Sequence, residues 1–164
     1  MKILGIDPGT AITGWGAIEA QSSKLKVQSC GVIITPAKQN QSVRLAHIFS
    51  ELNLIIKKTK PDVVAVERLF FINNAKTAMT VGEARGVILL AIEKANLPLY
   101  EYTPLQVKQA LTGYGKAEKK QIQLMVKQIL RLKETPKPDD MADALAIAIC
   151  HHFQNYLGSI IKKK

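Results

Sequence analysis

Lys2-Ile3-Leu4-Gly5-Ile6-Asp7-Pro8-Gly9-Thr10 starts the chain as a short apolar run that halts at an acid followed by Pro-Gly. The run reads as a strand and the Pro-Gly pair as the turn that stops it. Ile12 to Ala20 and Leu25 to Thr35, rich in β-branched residues, read as two further strands around Gln21-Ser22-Ser23. Turns this short imply an antiparallel meander. The period then changes: Val43, Leu45, Ile48, Leu52, Ile55 and Ile56 line one side of a helix over 44–59, which Pro61 ends. Asp62-Val63-Val64-Ala65-Val66-Glu67 is apolar almost throughout, as in a strand buried on both faces. A long helix over 75–95, a strand over 97–102, and helices over 105–111, 118–132 and 139–156 complete the pattern. The order βββαβαβ with trailing helices predicts an α/β fold, a five-stranded mixed sheet with helices on both faces. One domain is expected over 1–158, with a basic tail at 159–164.

At 164 residues the chain can build one core. It has no apolar run long enough to suggest a membrane span, and Asp7 comes too early for a signal peptide. Its two cysteines, Cys30 and Cys150, indicate neither a disulfide framework nor a zinc site, so a reducing cytoplasm is the expected compartment. The net charge of +10 favours a polyanionic partner. Between Pro104 and Lys137 eight basic residues face only Glu118 and Glu134. That concentration makes Lys108, Lys116, Lys119 and Lys120 candidates for contact with such a partner, whether DNA, RNA or an anionic membrane surface.

Taken singly, the acids have ordinary explanations. Asp7 begins a turn, Glu67 ends a strand, and Asp139-Asp140 sit at a helix start, where acids suit the backbone dipole. Asp143 is different, because it lies among Met141, Ala142, Ala144, Leu145, Ala146, Ile147, Ala148 and Ile149. It is three residues from Asp140, so both carboxylates project from one helix face and repel unless a cation stands between them. Asp7 and Glu67 each close an apolar strand, and a mixed sheet can make those strands neighbours. Four oxygen donors without a His or Cys cluster select Mg²⁺, or Mn²⁺, over zinc. Two such ions would serve hydrolysis of a phosphodiester.

These elements together resemble the RuvC-type Holliday-junction resolvases, which have a ribonuclease-H-like fold. The resemblance runs from Ile3-Leu4-Gly5-Ile6-Asp7-Pro8-Gly9 to Ala142-Asp143-Ala144-Leu145-Ala146-Ile147-Ala148. Between them lie Glu67-x-x-Phe70, Gly82-x-Ala84-Arg85-Gly86, Gln106-Val107-Lys108 and Gly113-x-Gly115-x-Ala117-x-Lys119. It implies that Asp7, Glu67, Asp140 and Asp143 are the metal-binding, catalytic carboxylates. It also implies that Lys108 and Lys119 contact phosphate and that Phe70 stacks on a base of four-way junction DNA. A homodimer and a branch-migration motor are the implied partners. Arg68 departs from the glutamine expected in many members. The Asp139-Asp140 doublet leaves two candidates for the third ligand, and the Asp-x-x-Asp spacing favours Asp140. The helix around 81–91 is the expected dimer face, since Gly82 and Gly86 permit close approach and Val87, Ile88, Leu89, Leu90 and Ile92 form a wide apolar arc.

Two other classes share parts of this pattern. Ile6-Asp7-Pro8-Gly9-Thr10 resembles the first phosphate loop of sugar kinases and actin-like ATPases, but that fold needs two such domains. A ribonuclease H acting on RNA–DNA hybrids would share the fold; Asp140-x-x-Asp143 and the basic stretch after Pro104 favour the resolvase.

Overall fold

The structure is a computed structural model and describes residues 1–21, 24–68 and 75–161. Phe70, expected to stack on a base, lies outside the described residues, as does the end of the tail at 162–164. The strands are β1 (Lys2–Asp7), β2 (Ile12–Gln21), β3 (Lys24–Ile34), β4 (Val63–Glu67) and β5 (Leu99–Tyr102). The helices are α1 (Gln41–Thr59), α2 (Ala75–Lys94), α3 (Pro104–Thr112), α4 (Lys119–Ile129) and α5 (Asp139–Ile161).

The strands form one sheet in the order β3-β2-β1-β4-β5. β1 runs antiparallel to β2 and parallel to β4, and β4 runs parallel to β5. The mixed sheet expected from the chain order is therefore present, and β1 and β4 are central neighbours. Alternation along β1 and β4 sends Ile3, Val63 and Ala65 to one face, where they pack with Leu145 and Ile149 of α5 and with Val107 and Val126. Leu4, Ile6, Val64 and Val66 face the other way, onto Ile48 and Leu52 of α1 and Ile88 and Ile92 of α2. Each face thus has its own core.

Local chemistry sets both ends of α3. Thr103 caps α3 through a reciprocal bond with Gln106, Pro104 takes the first turn, and Gly113 closes the helix at φ 73°. α4 ends earlier than its sequence pattern predicts, at Ile129 rather than Leu132. Arg131 takes a left-handed φ of 53° there, and the Leu132 N–H bonds back to the Lys127 carbonyl. No glycine marks that turn. Conversely, α5 continues to Ile161, past its expected end at Tyr156 and into the expected tail. Gly158 alone, at a cost of about 1 kcal/mol relative to alanine, does not stop a helix that has no proline to break it.

From Ala144 to His152 every residue of α5 is buried: β1 and β2 lie beneath it, α3 and α4 beside it. Its approach to the sheet depends on missing side chains. A Cβ at Gly5 of β1 would collide with the Ala144 carbonyl oxygen, and one at Gly14 of β2 with the Asp140 carbonyl oxygen. The helix backbone rests directly on the strand backbones at both points.

Candidate active site

Three elements converge at one edge of the sheet. The register Ile6↔Val66 places Asp7 and Glu67 one residue further along adjacent parallel strands, on the face that α5 covers. α5 starts above that edge, and Asp143, one turn in, turns toward them. Asp7, Glu67, Asp143, Lys108 and Lys119 line one cavity of about 270 Å³. The cavity lies between the strand ends, α3, the first turn of α4, and α5.

The electrostatics of this corner are those of crowded acids. Asp7 is pushed up from 3.8 to about 8, first by burial and then by the charges of Glu67, Asp143 and Asp140, with Lys119 opposing. Glu67 is raised from 4.5 to about 7 by burial and by Asp143, against Lys108 and Lys119. Burial raises Asp143 as well; the hydrogen bond and charge of Lys119 offset part of this, while Asp140 and Asp139 add to it. Lys119 Nζ stands 3.0 Å from Asp143 and 3.4 Å from Asp139. Burial alone would lower the pKa of this ammonium, but Asp143 and Asp139 outweigh burial and raise it.

The structure therefore brings Asp7, Glu67, Asp143, Lys108 and Lys119 together. Asp140 is placed differently. Its charge reaches Asp7 and Asp143, yet it lines the neighbouring cleft with Gly9, Thr10 and Arg44. Asp139 points to Lys119 and does not bear on Asp7. Lys116 and Lys120 are exposed and lie outside the cavity lining. Among the described residues no three His, Cys, Asp or Glu side chains stand close enough, in this arrangement, to hold a metal ion. The ammonium of Lys119 lies against an Asp143 oxygen that a divalent cation would use.

The donor chemistry nonetheless fits such a cation. The acids supply hard oxygen ligands, with no His or Cys lining the cavity. Two of the carboxyls are held so far above their ordinary range that they retain protons near neutrality. A double positive charge among them would reverse that shift, which one partly exposed ammonium does not do.

Two features of this corner were not visible as function in the sequence. Glu101 on β5 receives Arg85 from α2 and lies 4.0 Å from Arg68, the residue after Glu67. This joins the middle of α2 to the sheet beside Glu67, and the Nε of Arg85 is buried without a partner among the described residues. The second is the pair Gly14 and Gly16 within β2. A glycine inside a strand signals a close approach by another element; here Gly14 meets the α5 backbone at Asp140, and Gly16 meets Leu145.

Comparison with known proteins places this geometry among relatives. A family model described as Crossover junction endodeoxyribonuclease RuvC matches residues 3–151. The chain is 59% identical over 152 residues to a crossover junction endodeoxyribonuclease RuvC of Caldicellulosiruptor saccharolyticus, covering 92% of each. It is 52% identical over 162 residues to that of Syntrophomonas wolfei, covering 99% of this chain and 94% of the relative. A solved structure of Thermus thermophilus RuvC superposes with a TM-score of 0.89 at 39% identity, covering 96% of this chain and 97% of that one. Another, of T. thermophilus RuvC in complex with Holliday junction substrate, gives 0.88 at 36%, with the same coverage. The yeast mitochondrial Holliday junction resolvase shares the fold, at a TM-score of 0.65 and 17% identity over 96% of this chain and 85% of that one.

Proposed function

The chain belongs to the RuvC family of crossover junction endodeoxyribonucleases, and from that premise we propose that it resolves four-way DNA junctions by paired, Mg²⁺-dependent nicks. The observation that carries the reading is the placement of Asp7 and Glu67 on adjacent parallel strands beneath Asp143, with the pKa of Asp7 pushed up to about 8. A binding module has no reason to maintain such mutual repulsion.

Asp7, Glu67 and Asp143 would hold divalent cations, with Asp140 as the fourth donor. The four are enough for two ions per site. When bound, such cations polarise the phosphate and make water a better nucleophile at neutral pH. The residues of the chain do the rest. Lys108 and Lys119 give the cavity wall two ammonium groups that attract and orient phosphate oxygens. The Lys119 contact with Asp143 implies that its ammonium moves from carboxylate to phosphate as the substrate enters. The apolar floor from Val107 and Ile122 limits water around the reacting group. The reading assigns ends that carry a 5′-phosphate and a 3′-hydroxyl and can be rejoined.

Two strands must be nicked, and one chain offers one site, so the functional unit is a two-fold dimer. The outer face of α2 supports this: Gly82 and Gly86 have nothing within 4 Å of an added Cβ, and Met79 and Leu90 are 73% and 53% exposed. A strict monomer in sedimentation, with and without DNA, would count against the dimer. A branch-migration motor is the partner this activity needs upstream. No helix among the described residues is long and apolar enough to cross a membrane. Incubation of the protein and Mg²⁺ with a four-way junction, linear duplex, RNA–DNA hybrid and ATP tests the reading. Only the junction should be cut, into paired nicked duplexes; equal cutting of the hybrid would overturn it.

A further inference from the structure

Next to the carboxylate cavity, on the other side of Asp140, lies an open cleft of about 470 Å³. Its walls are the Gly9–Ile12 turn that follows Asp7, Thr80 and Val81 of α2, and Arg44 of α1. Arg44 is half-buried, and its Nε donates to the Thr35 hydroxyl at 2.8 Å. Thr35 in turn donates to the Thr10 carbonyl, and the Thr10 hydroxyl donates to the Thr80 carbonyl at 2.7 Å. This chain of bonds fixes the plane of the guanidinium against the turn. The two Nη groups are left without a protein partner among the described residues.

An arginine held at Nε alone, on the wall of a cleft, presents its remaining N–H fork to a planar or tetrahedral oxyanion. The first turn of α1, beside it, contains no acid. The acids nearby are Asp140 on the active-site side and Glu83, which accepts from Gln41. An anion must therefore sit at the Arg44 end of the cleft. Asp140 lines this cleft and is close enough to the carboxylate cavity for its charge to bear on Asp7 and Asp143, so a strand leaving the carboxylates past that residue meets Arg44 next.

We propose that Arg44 binds a backbone phosphate of the cleaved strand, beyond the phosphate held at Asp7 and Glu67. The cleft is thereby a second subsite for phosphodiester. The proposal rests on the junction-resolving reading and adds to it a positioning contact that keeps the strand in line across the site.

Salt dependence separates a phosphate contact from a purely structural role. Binding of a labelled four-way junction, in chelator to prevent cutting, is followed against salt for wild type, Arg44→Gln, Arg44→Lys and Thr35→Val. Loss of one phosphate contact lowers the slope of log affinity against log salt by about 0.9. Between 50 and 200 mM salt the affinity of Arg44→Gln should accordingly fall by a factor roughly 3.5 smaller than that of wild type. Arg44→Lys keeps the charge and should keep the slope. Thr35→Val removes only the brace and should keep it too, whatever it does to the melting temperature. An unchanged slope in Arg44→Gln overturns the subsite, as does an equal loss of slope in Thr35→Val. Failure of wild type to bind the junction in preference to linear duplex would instead overturn the reading on which the proposal rests.

Discussion

Two pairs of glycines in this molecule meet opposite surroundings. Gly5 and Gly14 lie under α5, where any side chain would run into the helix backbone. Gly82 and Gly86 lie on α2, where a side chain would meet nothing within 4 Å. The first pair sets a distance: it lets α5 settle on β1 and β2, so that Asp143 reaches Asp7 and Glu67. The second pair meets no neighbour among the described residues, and on the proposed reading a second copy of the chain fills that face. The same residue type thus admits a helix backbone in one place and, among the described residues, borders open space in the other.

Gly14→Ala should break the first pair most severely. Its Cβ meets the Asp140 carbonyl, part of a helix backbone that cannot rotate away, so a penalty near the upper end of overpacking, about 3 kcal/mol, is expected. Junction cutting should be lost with it. Urea unfolding and a cleavage assay check this together; wild-type stability and activity in the variant would show that close approach does not set the site.

Asp7→Asn separates closeness from charge at the same corner. With a folded pKa of about 8 against an ordinary value of 3.8, Asp7 holds its proton longer in the folded state. Without added metal, stability is full below the ordinary value and is lost as pH rises through about 8. Glu67 adds a loss between 4.5 and about 7. Asp7→Asn should flatten that decline and melt higher than wild type at alkaline pH, by more than about 1 kcal/mol in stability, while no longer cutting. Thermal scans from pH 4 to 9 read the slope, and an unchanged slope would show that Asp7 is not under the repulsion described.

Gly86→Ala probes the other pair and should have the smallest effect. In an open helix position the change adds about 0.8–1 kcal/mol of intrinsic helix stability, so the isolated fold should not suffer. Gly86→Leu should then shift sedimentation toward monomer with the fold intact. A destabilised monomer in either variant would mean that the α2 face is already covered within one chain.

Much of this was legible in the sequence because it depends on local rules. The apolar runs ending at Asp7 and Glu67, the change of period after Val43, and Asp143 among alanines and isoleucines each report a physical cost that needs an explanation. Together they gave the sheet, the helix order and the acids. What could not be read depends on distant contacts or on unmarked backbone. Nothing near Arg131 announces its left-handed turn, and Gly158 is too weak a signal to end α5. The pairing of Glu101 with Arg85 needs the parallel register of β4 and β5. The demand for a cation between the acids was legible, but not that Lys119 would answer part of it. Nor did helix periodicity alone show that Asp140 would face the cleft beside the site rather than its centre.

The central claim is that the acids around Asp7 form a site for divalent cations, and metal-linked stability tests it without reference to cutting. Wild type and Asp7→Asn are melted near pH 8 with and without saturating Mg²⁺. The account predicts that Mg²⁺ raises the melting temperature of wild type and removes its alkaline decline, and that Asp7→Asn loses most of this gain. A wild-type melting temperature indifferent to Mg²⁺, or an equal rise in both proteins, would contradict it.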